Sequence, residues 1–303
     1  MPSASGFRVP ASTKENAEAG VLPSWERMPS MEERWIEVAD RVLVRRHAEL
    51  DLSVGLVMGD GGCLVIDTRG DERQGAELAS QVRRITRDPW TVVITHSHFD
   101  HSFGTRAFLE CPVWAHEGCR TDLIENGETT REAWRLRYLT EGQAGIADDI
   151  AKTEIVLPDR LVTDRAELAA GGRRVVLTHF GRGHSSNDLV VHVPDAGVVF
   201  AGDLVENGAP PAYGDAYPLE WPATVDGVLG LADDGIVVPG HGDPVDRAFV
   251  VTQRAEIGVI AELCEEVAAG RMSVQDAVRL SPYPEETTRT AIHRAAFKDG
   301  SVQ

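Results

Sequence analysis

Short runs of hydrophobic residues, separated by glycine, proline and aspartate, recur along most of the chain. Such runs are typical of β-strands, whereas apolar residues spaced three and four apart indicate a helix. Helical spacing occurs first in residues 71–86, and the run WTVVIT at residues 90–95 is typical of a strand that is buried on both faces. The pattern predicts strands at residues 41–44, 53–58, 63–67, 90–95, 153–157, 174–179, 188–193, 198–201 and 236–238.

The remaining segments are predicted to be helical or irregular. Residues 117–150 form a polar, mainly helical stretch, and the glycine, proline and aromatic content of residues 206–222 indicates a long loop. The C-terminal part has helical patterns at residues 245–270, 273–280 and 284–297. The apolar stripe of the first of these helices needs a cover. The cover is either the outer face of a sheet or a second subunit, so we expect a monomer or a homodimer.

Composition and charge restrict the partners. A chain of 303 residues can bury a sizeable core, and its formal charge is −18. A field of this sign repels phosphate backbones, and the arginines are scattered, so we expect no nucleic-acid partner. The four cysteines form no CxxC pair and are expected to be reduced thiols. The expected partner is a small molecule.

The N-terminal segment differs in composition from the rest. Residues 1–30 are rich in proline, serine, alanine and glutamate and contain no apolar core of the kind found in signal peptides. No stretch of the chain approaches the roughly 20 apolar residues that span a bilayer. The sequence therefore predicts a flexible tail at residues 1–30, a single domain at residues 31–303, no membrane association and a cytoplasmic location.

The most informative motif follows the strand predicted at residues 90–95. His96, His98, Asp100 and His101 place four potential metal ligands within six residues. Imidazole nitrogens and a carboxylate suit zinc, and also iron or manganese. His96 and His98 are two positions apart, so on an extended turn both can face one ion. Asp100 and His101 lie one step further along and can reach a second ion.

Three further candidates each stand at a strand-to-loop junction. His184 lies in the glycine-rich turn GRGHS, Asp203 follows the apolar run VVFAG, and His241 follows a short apolar strand in PGHG. Alone, each of them is equally well explained by a structural role. A rigid scaffold can, however, bring side chains from several strand ends to one site.

In this order the candidates resemble the pattern of the metallo-β-lactamase superfamily, which is HxHxDH followed by His, by Asp or Cys, and by His. All seven positions are filled, and the resemblance extends over about residues 38–255. It implies an α/β fold, a four-layer αββα sandwich, with the site at one edge between two sheets. It also implies that residues 31–303 are a catalytic domain with two Zn²⁺ per chain, Fe or Mn being possible instead.

The resemblance further implies a role for each candidate. Asp203 would bridge both ions, and a hydroxide shared by them would attack the substrate, because bound cations lower the pKa of water to about 7. Asp100 would orient the hydroxide or carry a proton to the leaving group. The other ligands would be His96, His98 and His184 for the first ion, and Asp100, His101 and His241 for the second.

Departures from the pattern narrow the choice of subfamily. Phe103 and Asn187 stand where many relatives have glycine, and Asp203 stands where one group of true β-lactamases has cysteine. A site of nitrogen and oxygen ligands resembles that of hydroxyacylglutathione hydrolases and lactonases. We therefore expect hydrolysis of a small ester, thioester, lactone or amide. The alternatives are a β-lactamase-like activity and a mononuclear-iron persulfide dioxygenase; the acidic composition disfavours a nuclease, and the complete ligand set disfavours a non-catalytic relative.

Several residues outside the pattern have two possible roles. Asp67 ends the strand predicted at residues 63–67, where it either accepts a hydrogen bond from a ligand imidazole or caps the following turn. Aromatic residues of the long loop either line the substrate pocket or pin the loop to the core. The candidates for the pocket wall are Tyr213, Tyr217, Trp221, Arg135, Arg137, His116 and His179.

Overall fold

The computed structural model describes residues 34–296, so the tail predicted at residues 1–30 lies outside the described residues. The strands are β1 (Trp35–Ala39), β2 (Val42–Arg46), β3 (Ser53–Met58), β4 (Cys63–Ile66), β5 (Trp90–Val93), β6 (Val113–His116), β7 (Arg160–Val162), β8 (Arg165–Ala170), β9 (Arg173–Thr178), β10 (Val190–Val193), β11 (Val198–Glu206) and β12 (Ile236–His241). The helices are α1 (Glu72–Ile85), α2 (Phe99–Ser102), α3 (Glu117–Glu125), α4 (Gly127–Thr140), α5 (Ala144–Lys152), α6 (Trp221–Leu229), α7 (Arg247–Ala268), α8 (Val274–Leu280) and α9 (Glu285–Ala296), with a 3₁₀ helix at Phe103–Phe108.

The strands form two sheets. The first has seven strands in the order β1 to β7, and the second has five in the order β12-β11-β10-β9-β8. Strands β4 to β7 are parallel, as are β11 and β12, whereas the other neighbours are antiparallel. Parallel strands end at the same edge of a sheet, which is where ligand sites of such sheets are usually found. The loops after β4, β5, β11 and β12 are therefore placed to share one site.

Alternation along the strands produces the layers. Successive side chains of a strand point to opposite faces, so Val65 of β4 belongs to the hydrophobic cluster shared with α1, α3, α4 and α5, while Leu64 belongs to the cluster between the two sheets. In the second sheet Phe200 faces the first sheet, and Val199 faces the cluster formed with α6, α7 and α9. Three cores separate four layers, which confirms the expected αββα sandwich.

Most predicted elements are present, and one is wrong. Residues 153–157 form no strand; Ile155 and Leu157 are apolar because they pack against the helical face of the first sheet. Thr153 ends α5 instead, since its hydroxyl donates to the Asp149 carbonyl over 2.9 Å. Strands β1, β6, β7 and β8 and helices α2 and α6 were not predicted. Strand β8 lacks a clear apolar run because its outer face is exposed and charged.

The apolar stripe of α7 is covered within the chain. Ile257, Ile260 and Cys264 are buried in the cluster that also contains Trp221 of α6 and Ala291 of α9. The second sheet and its flanking helices therefore provide the cover that the sequence requires. Within residues 34–296, no helix is both long and apolar enough to cross a membrane.

Two glycines bring α1 against the segment that follows the His-rich motif. A Cβ atom on Gly75 of α1 would overlap the backbone of Gly104, and a Cβ atom on Gly104 would overlap the carbonyl of Thr68. Gly104 is also held by its amide, which donates to the Arg69 carbonyl over 2.8 Å. This backbone-to-backbone contact fixes the motif relative to the end of β4.

Gly75→Ala is expected to destabilise the protein by about 1–3 kcal/mol, because the added methyl group forces two backbones apart. The effect opposes the intrinsic preference of helices for alanine over glycine, which is about 1 kcal/mol. Gly145→Ala in α5 is the matched control: its Cβ atom meets nothing within 4 Å, so the change is expected to be neutral or stabilising. Urea unfolding measures both; equal stabilities for the two variants would contradict the contact.

Candidate metal centre

The structure brings all seven candidate ligands to one edge between the two sheets. The His-rich motif follows β5 and continues into α2, so one short segment supplies four side chains. The second sheet supplies the other three, from the loop between β9 and β10, from β11 and from the end of β12. The side chains that could hold a cation form two groups, namely His96, His98, His184 and Asp203, and Asp100, His101 and His241.

The first group surrounds one point with three imidazoles and a carboxylate. His98 Nδ1 and His184 Nε2 are 2.9 Å apart. Asp203 Oδ2 lies 3.6 Å from His96 Nε2 and 3.4 Å from His184 Nε2. These four atoms are close enough to share one ion, and they belong to residues from three separate parts of the chain.

The second group lies on the other side of Asp203. His101 Nε2 is 3.2 Å from Asp203 Oδ1 and 3.4 Å from His241 Nε2. Asp100 Oδ2 is 3.4 Å from His241 Nε2 and 3.6 Å from His101 Nε2. Asp203 thus presents one oxygen to each group, with Oδ2 also 3.3 Å from His241 Nε2.

Asp67 sets the orientation of two of the imidazoles. Its Oδ2 accepts from His101 Nδ1 over 2.8 Å and from the Thr95 hydroxyl over 2.8 Å, and its Oδ1 accepts from the Thr95 amide over 2.8 Å. The Thr95 oxygen is in turn 3.1 Å from His96 Nδ1. With their Nδ1 atoms engaged as donors, His101 and His96 turn bare Nε2 lone pairs towards the centre. Of the two roles considered for Asp67, the structure therefore contains the hydrogen bond to an imidazole.

Two more imidazoles have partners on their outer nitrogens. His98 Nε2 donates to Asp215 Oδ2 over 2.9 Å, and His241 Nδ1 donates to the Leu50 carbonyl over 2.6 Å. Asp215 lies in the loop between β11 and α6. Arg294 of α9 holds that loop by donating to the carbonyl oxygens of Asp215, over 2.9 Å, and Ala216, over 2.8 Å. The sequence gives no sign of these partners, because they are distant along the chain.

The donor set fits a cation. Within residues 34–296, His96 Nε2 and Asp203 Oδ1 are buried without a conventional hydrogen-bond partner, although both face the centre. Burial disfavours the charged forms, yet the carboxylates, Asp203 foremost, raise the pKa of His241 to about 10, and the imidazoles, His101 foremost, hold the pKa of Asp203 well below its usual range. Positive charge is thus strongly favoured at a point where lone pairs converge, which is the requirement of a metal site.

Asn187 and Ser97 tie the motif to the second sheet. The Ser97 amide donates to Asn187 Oδ1 over 2.9 Å, and Asn187 Nδ2 donates to the Ser97 hydroxyl over 3.2 Å. An amide side chain therefore stands where many relatives have glycine because it supports the loop between His96 and His98. Phe103, the other departure, is buried beside Phe99, with 6.1 Å between the ring centroids.

A cleft of about 1050 Å³ opens over the centre. Of the predicted wall residues, Tyr217 and Arg137 line the cleft, whereas Tyr213 and Trp221 are buried in the core and Arg135 pairs with Glu132 on the surface. Trp221 donates to the Leu204 carbonyl over 3.2 Å, so it pins the loop rather than lining the wall. The wall residues that the sequence did not predict include Leu50, Asp51, Trp134, Glu206, Asp215 and Arg294.

His116 and His179 lie outside the centre. Their rings stack on each other with 4.1 Å between centroids. His179 Nδ1 donates to the Asp188 carbonyl over 2.8 Å, and His116 Nδ1 accepts from the Gly118 amide at the start of α3 over 3.1 Å. Neither lines the cleft above the seven residues, although His116 borders a smaller cavity of about 560 Å³ beside it.

Glu206 is a buried carboxyl at the end of β11. Its side chain lines the cleft, and the residue is only 5% exposed. Burial, together with the charge of Asp203, raises the pKa of Glu206 to about 8. No residue pattern in the sequence distinguishes it from the other acidic residues of the chain.

The comparisons with known proteins agree with this geometry. Among curated proteins, a type 2 metallo-beta-lactamase from Bacillus cereus is 26% identical over 206 residues, covering 66% of this chain and 70% of the relative. An acyl-coenzyme A thioesterase, MBLAC2, from Gallus gallus is 26% identical over 214 residues, which cover 62% of this chain and 72% of the relative.

Solved structures share the fold. The sec-alkylsulfatase Pisa1 from Pseudomonas sp. matches 88% of this chain and 51% of its own with a TM-score of 0.70 and 17% identity. A metallo-beta-lactamase from Pontibacter korlensis matches 74% of this chain and 98% of its own with a TM-score of 0.59 and 20% identity. The family model of the metallo-beta-lactamase superfamily matches residues 50–242. The chain is therefore a member of the metallo-beta-lactamase superfamily of metallo-hydrolases.

Proposed function

We propose that the protein hydrolyses a small ester, thioester, lactone or amide. Residues 31–303 would form its catalytic domain, which would bind two divalent cations. One observation carries the proposal: seven nitrogen and oxygen donors converge in two groups that share Asp203. The two curated relatives described above are a β-lactamase and a thioesterase, and both names denote cleavage of an acyl bond. Acyl transfer to water is thus the reaction class that the site and the relatives have in common.

Each ion would have its own ligands, with Asp203 between them. Zinc suits a set of imidazoles and carboxylates, and iron or manganese would accept the same donors. When bound, two such cations supply a water of lowered pKa and a Lewis acid for the oxygen that gains charge. The ligands would be His96 Nε2, His98 Nδ1 and His184 Nε2 for the first ion, and Asp100 Oδ2, His101 Nε2 and His241 Nε2 for the second.

Other side chains around the centre would transfer protons, orient the ligands and contact the substrate. Asp100 lines the cleft, so its carboxylate can accept a proton from the attacking water and return it to the leaving group. Asp67 and Asp215 keep the imidazoles in the tautomer whose lone pairs face inward. Trp134 stacks on Phe99 with 4.1 Å between centroids and forms an apolar wall for the substrate.

Zinc-loaded protein is expected to hydrolyse at least one member of a panel of esters, thioesters, lactones and β-lactams. A chelator should reduce the rate to that of the uncatalysed reaction, and added zinc should restore it, because the nucleophile depends on the cations. Metal analysis of protein purified without added zinc accompanies the assay. One iron per chain with persulfide-dependent oxygen uptake would instead identify a dioxygenase, and a panel without any chelator-sensitive hydrolysis would contradict the proposal.

Asp100→Asn is expected to lower kcat by about 10²–10⁴-fold while most of the bound metal is retained. The amide cannot accept a proton, whereas five imidazoles and Asp203 remain to bind the ions. Steady-state kinetics and metal content are measured on the same sample. Asp122→Asn, which removes the same charge from the same cleft wall, serves as the control. Parallel losses of metal and turnover would show that Asp100 acts only as a ligand.

Asp67→Asn is expected to weaken zinc binding by about 10–100-fold, because the new amide places a donor against His101 Nδ1 and reverses the tautomer. Asp215→Asn is expected to have a smaller effect, since the Asp215 side chain is 57% exposed and water can replace it. Competition with a chelator of known affinity measures both. Asp71→Asn is the matched control: this buried residue caps α1 and an asparagine caps equally well. Equal affinities for all variants would disprove the orienting role.

A further inference from the structure

Glu206 occupies a distinct position in the cleft. It is the last residue of β11, three positions after Asp203, and it lies opposite His241 of the neighbouring strand. Three residues of extended chain span at most about 10 Å, so the Cα atom of Glu206 lies within the length of a small substrate from that of Asp203. The residue lines the same cleft as Asp100 and Asp203, although only 5% of its surface is exposed.

The backbone of Glu206 is fixed. Its amide donates to Gln253 Oε1 over 3.0 Å, and its carbonyl accepts from Gln253 Nε2 over 2.7 Å. Gln253 is itself buried in α7, and the Asn207 amide donates to the His241 carbonyl over 3.0 Å. The chain on both sides of the carboxyl is thus held, and Glu206 cannot leave the cleft by moving its backbone.

The other acidic residues of the cleft wall have partners. Asp51 pairs with Arg46, Asp122 accepts from Asn126, and Asp215 accepts from His98. Among residues 34–296, no side chain forms a hydrogen bond or an ion pair with the carboxyl of Glu206. The Glu206 carboxyl therefore lines the cleft with no partner from the described chain, and a donor on a bound molecule can pair with it there.

The arginines of the cleft are committed elsewhere. Arg137 pairs with Glu141 over 2.9 Å and lies over the ring of Trp134. Arg294 donates to two backbone carbonyls and lies over the ring of Tyr217. The wall beside Glu206 therefore offers an acceptor to a substrate and no free cation from these two residues.

We propose that Glu206 is a specificity-determining residue that accepts a hydrogen bond from a cationic amino group of the substrate. The substrate class is then an acyl compound that carries an ammonium group at some distance from the scissile carbonyl. A substrate with a carboxylate in place of the ammonium group is disfavoured, because its charge would lie beside the carboxyl of Glu206 without a donor to pair with it. The binding part of the proposal stands on Glu206 alone, and the cleavage of such a compound rests on the proposed hydrolase function.

The kinetic test uses three nitrophenyl esters of similar length, those of aminohexanoate, heptanoate and adipate, with zinc-loaded protein. The native protein is expected to have a kcat/KM about tenfold higher for the amino ester than for the heptanoyl ester, which corresponds to about 1.4 kcal/mol. Its kcat/KM for the adipoyl ester is expected to be lower than that for the heptanoyl ester. Glu206→Gln should abolish the preference for the amino ester. The ratio of kcat/KM for the amino ester to kcat/KM for the heptanoyl ester is diagnostic, because damage to the metal centre lowers both values alike.

Asp122→Asn is the matched control, since it removes the same charge elsewhere in the cleft wall and should leave the ratio within about twofold of native. Glu206→Leu, which is of similar size and apolar, replaces Glu206→Gln if the latter does not fold. An unchanged ratio in the Glu206 variants, or an equal fall in Asp122→Asn, would overturn the proposal.

A binding measurement separates this proposal from the hydrolase function. Butylammonium is protonated at neutral pH, so it has N–H donors for Glu206 but no lone pair for a metal, and its affinity reports on the wall alone. Calorimetry is expected to give a Kd about tenfold weaker for Glu206→Gln than for the native protein. If no ester is cleaved and this difference is present, the hydrolase function fails and the cation site stands. If esters are cleaved and the difference is absent, along with the kinetic preference, the cation site is disproved.

Discussion

The carboxylate of Asp67 is the interaction on which the rest of the site depends. It accepts three hydrogen bonds of 2.8 Å, from the amide and hydroxyl of Thr95 and from His101 Nδ1. The first two join the end of β4 to the end of β5, so the same oxygen atoms complete the sheet and aim the imidazoles. Asp67 has a φ of 64°, in the left-handed region, which aspartate tolerates better than most residues. Fold and centre are therefore linked through one buried residue.

Much of the site could be predicted because its donors stand at the ends of apolar strands. His96 and Asp203 each follow a continuous run of apolar residues, and parallel pairing brings the ends of neighbouring strands to the same edge of each sheet. The partners of these donors follow no such rule. Asp215 and Glu206 lie in or beside a long loop, and only the folded chain shows that Asp215 accepts a hydrogen bond from His98 and that Glu206 lines the cleft. Hydrogen bonds between residues that are distant along the chain cannot be predicted from the local spacing of residue types.

The errors in the fold have a similar origin. Ile155 and Leu157 are apolar because they pack against the cluster between the first sheet and its helices, and a short apolar run does not distinguish this role from a strand. Strand β8 was missed for the opposite reason: it contains Arg165 and Glu167 on an exposed face, so its pairing with β9 supplies the order that its composition does not. A run of apolar residues indicates a strand only where the strand is buried, and strands at a sheet edge are only partly buried.

The hold of α9 on the loop between β11 and α6 has an evolutionary consequence. Arg294 contacts the main-chain carbonyls of Asp215 and Ala216, and every residue type has such a carbonyl. Substitutions in the loop can therefore accumulate without releasing it, as long as its backbone path is kept. The wall of the cleft can therefore vary at loop positions other than Asp215, while the fixed backbone keeps the Asp215 side chain within reach of His98.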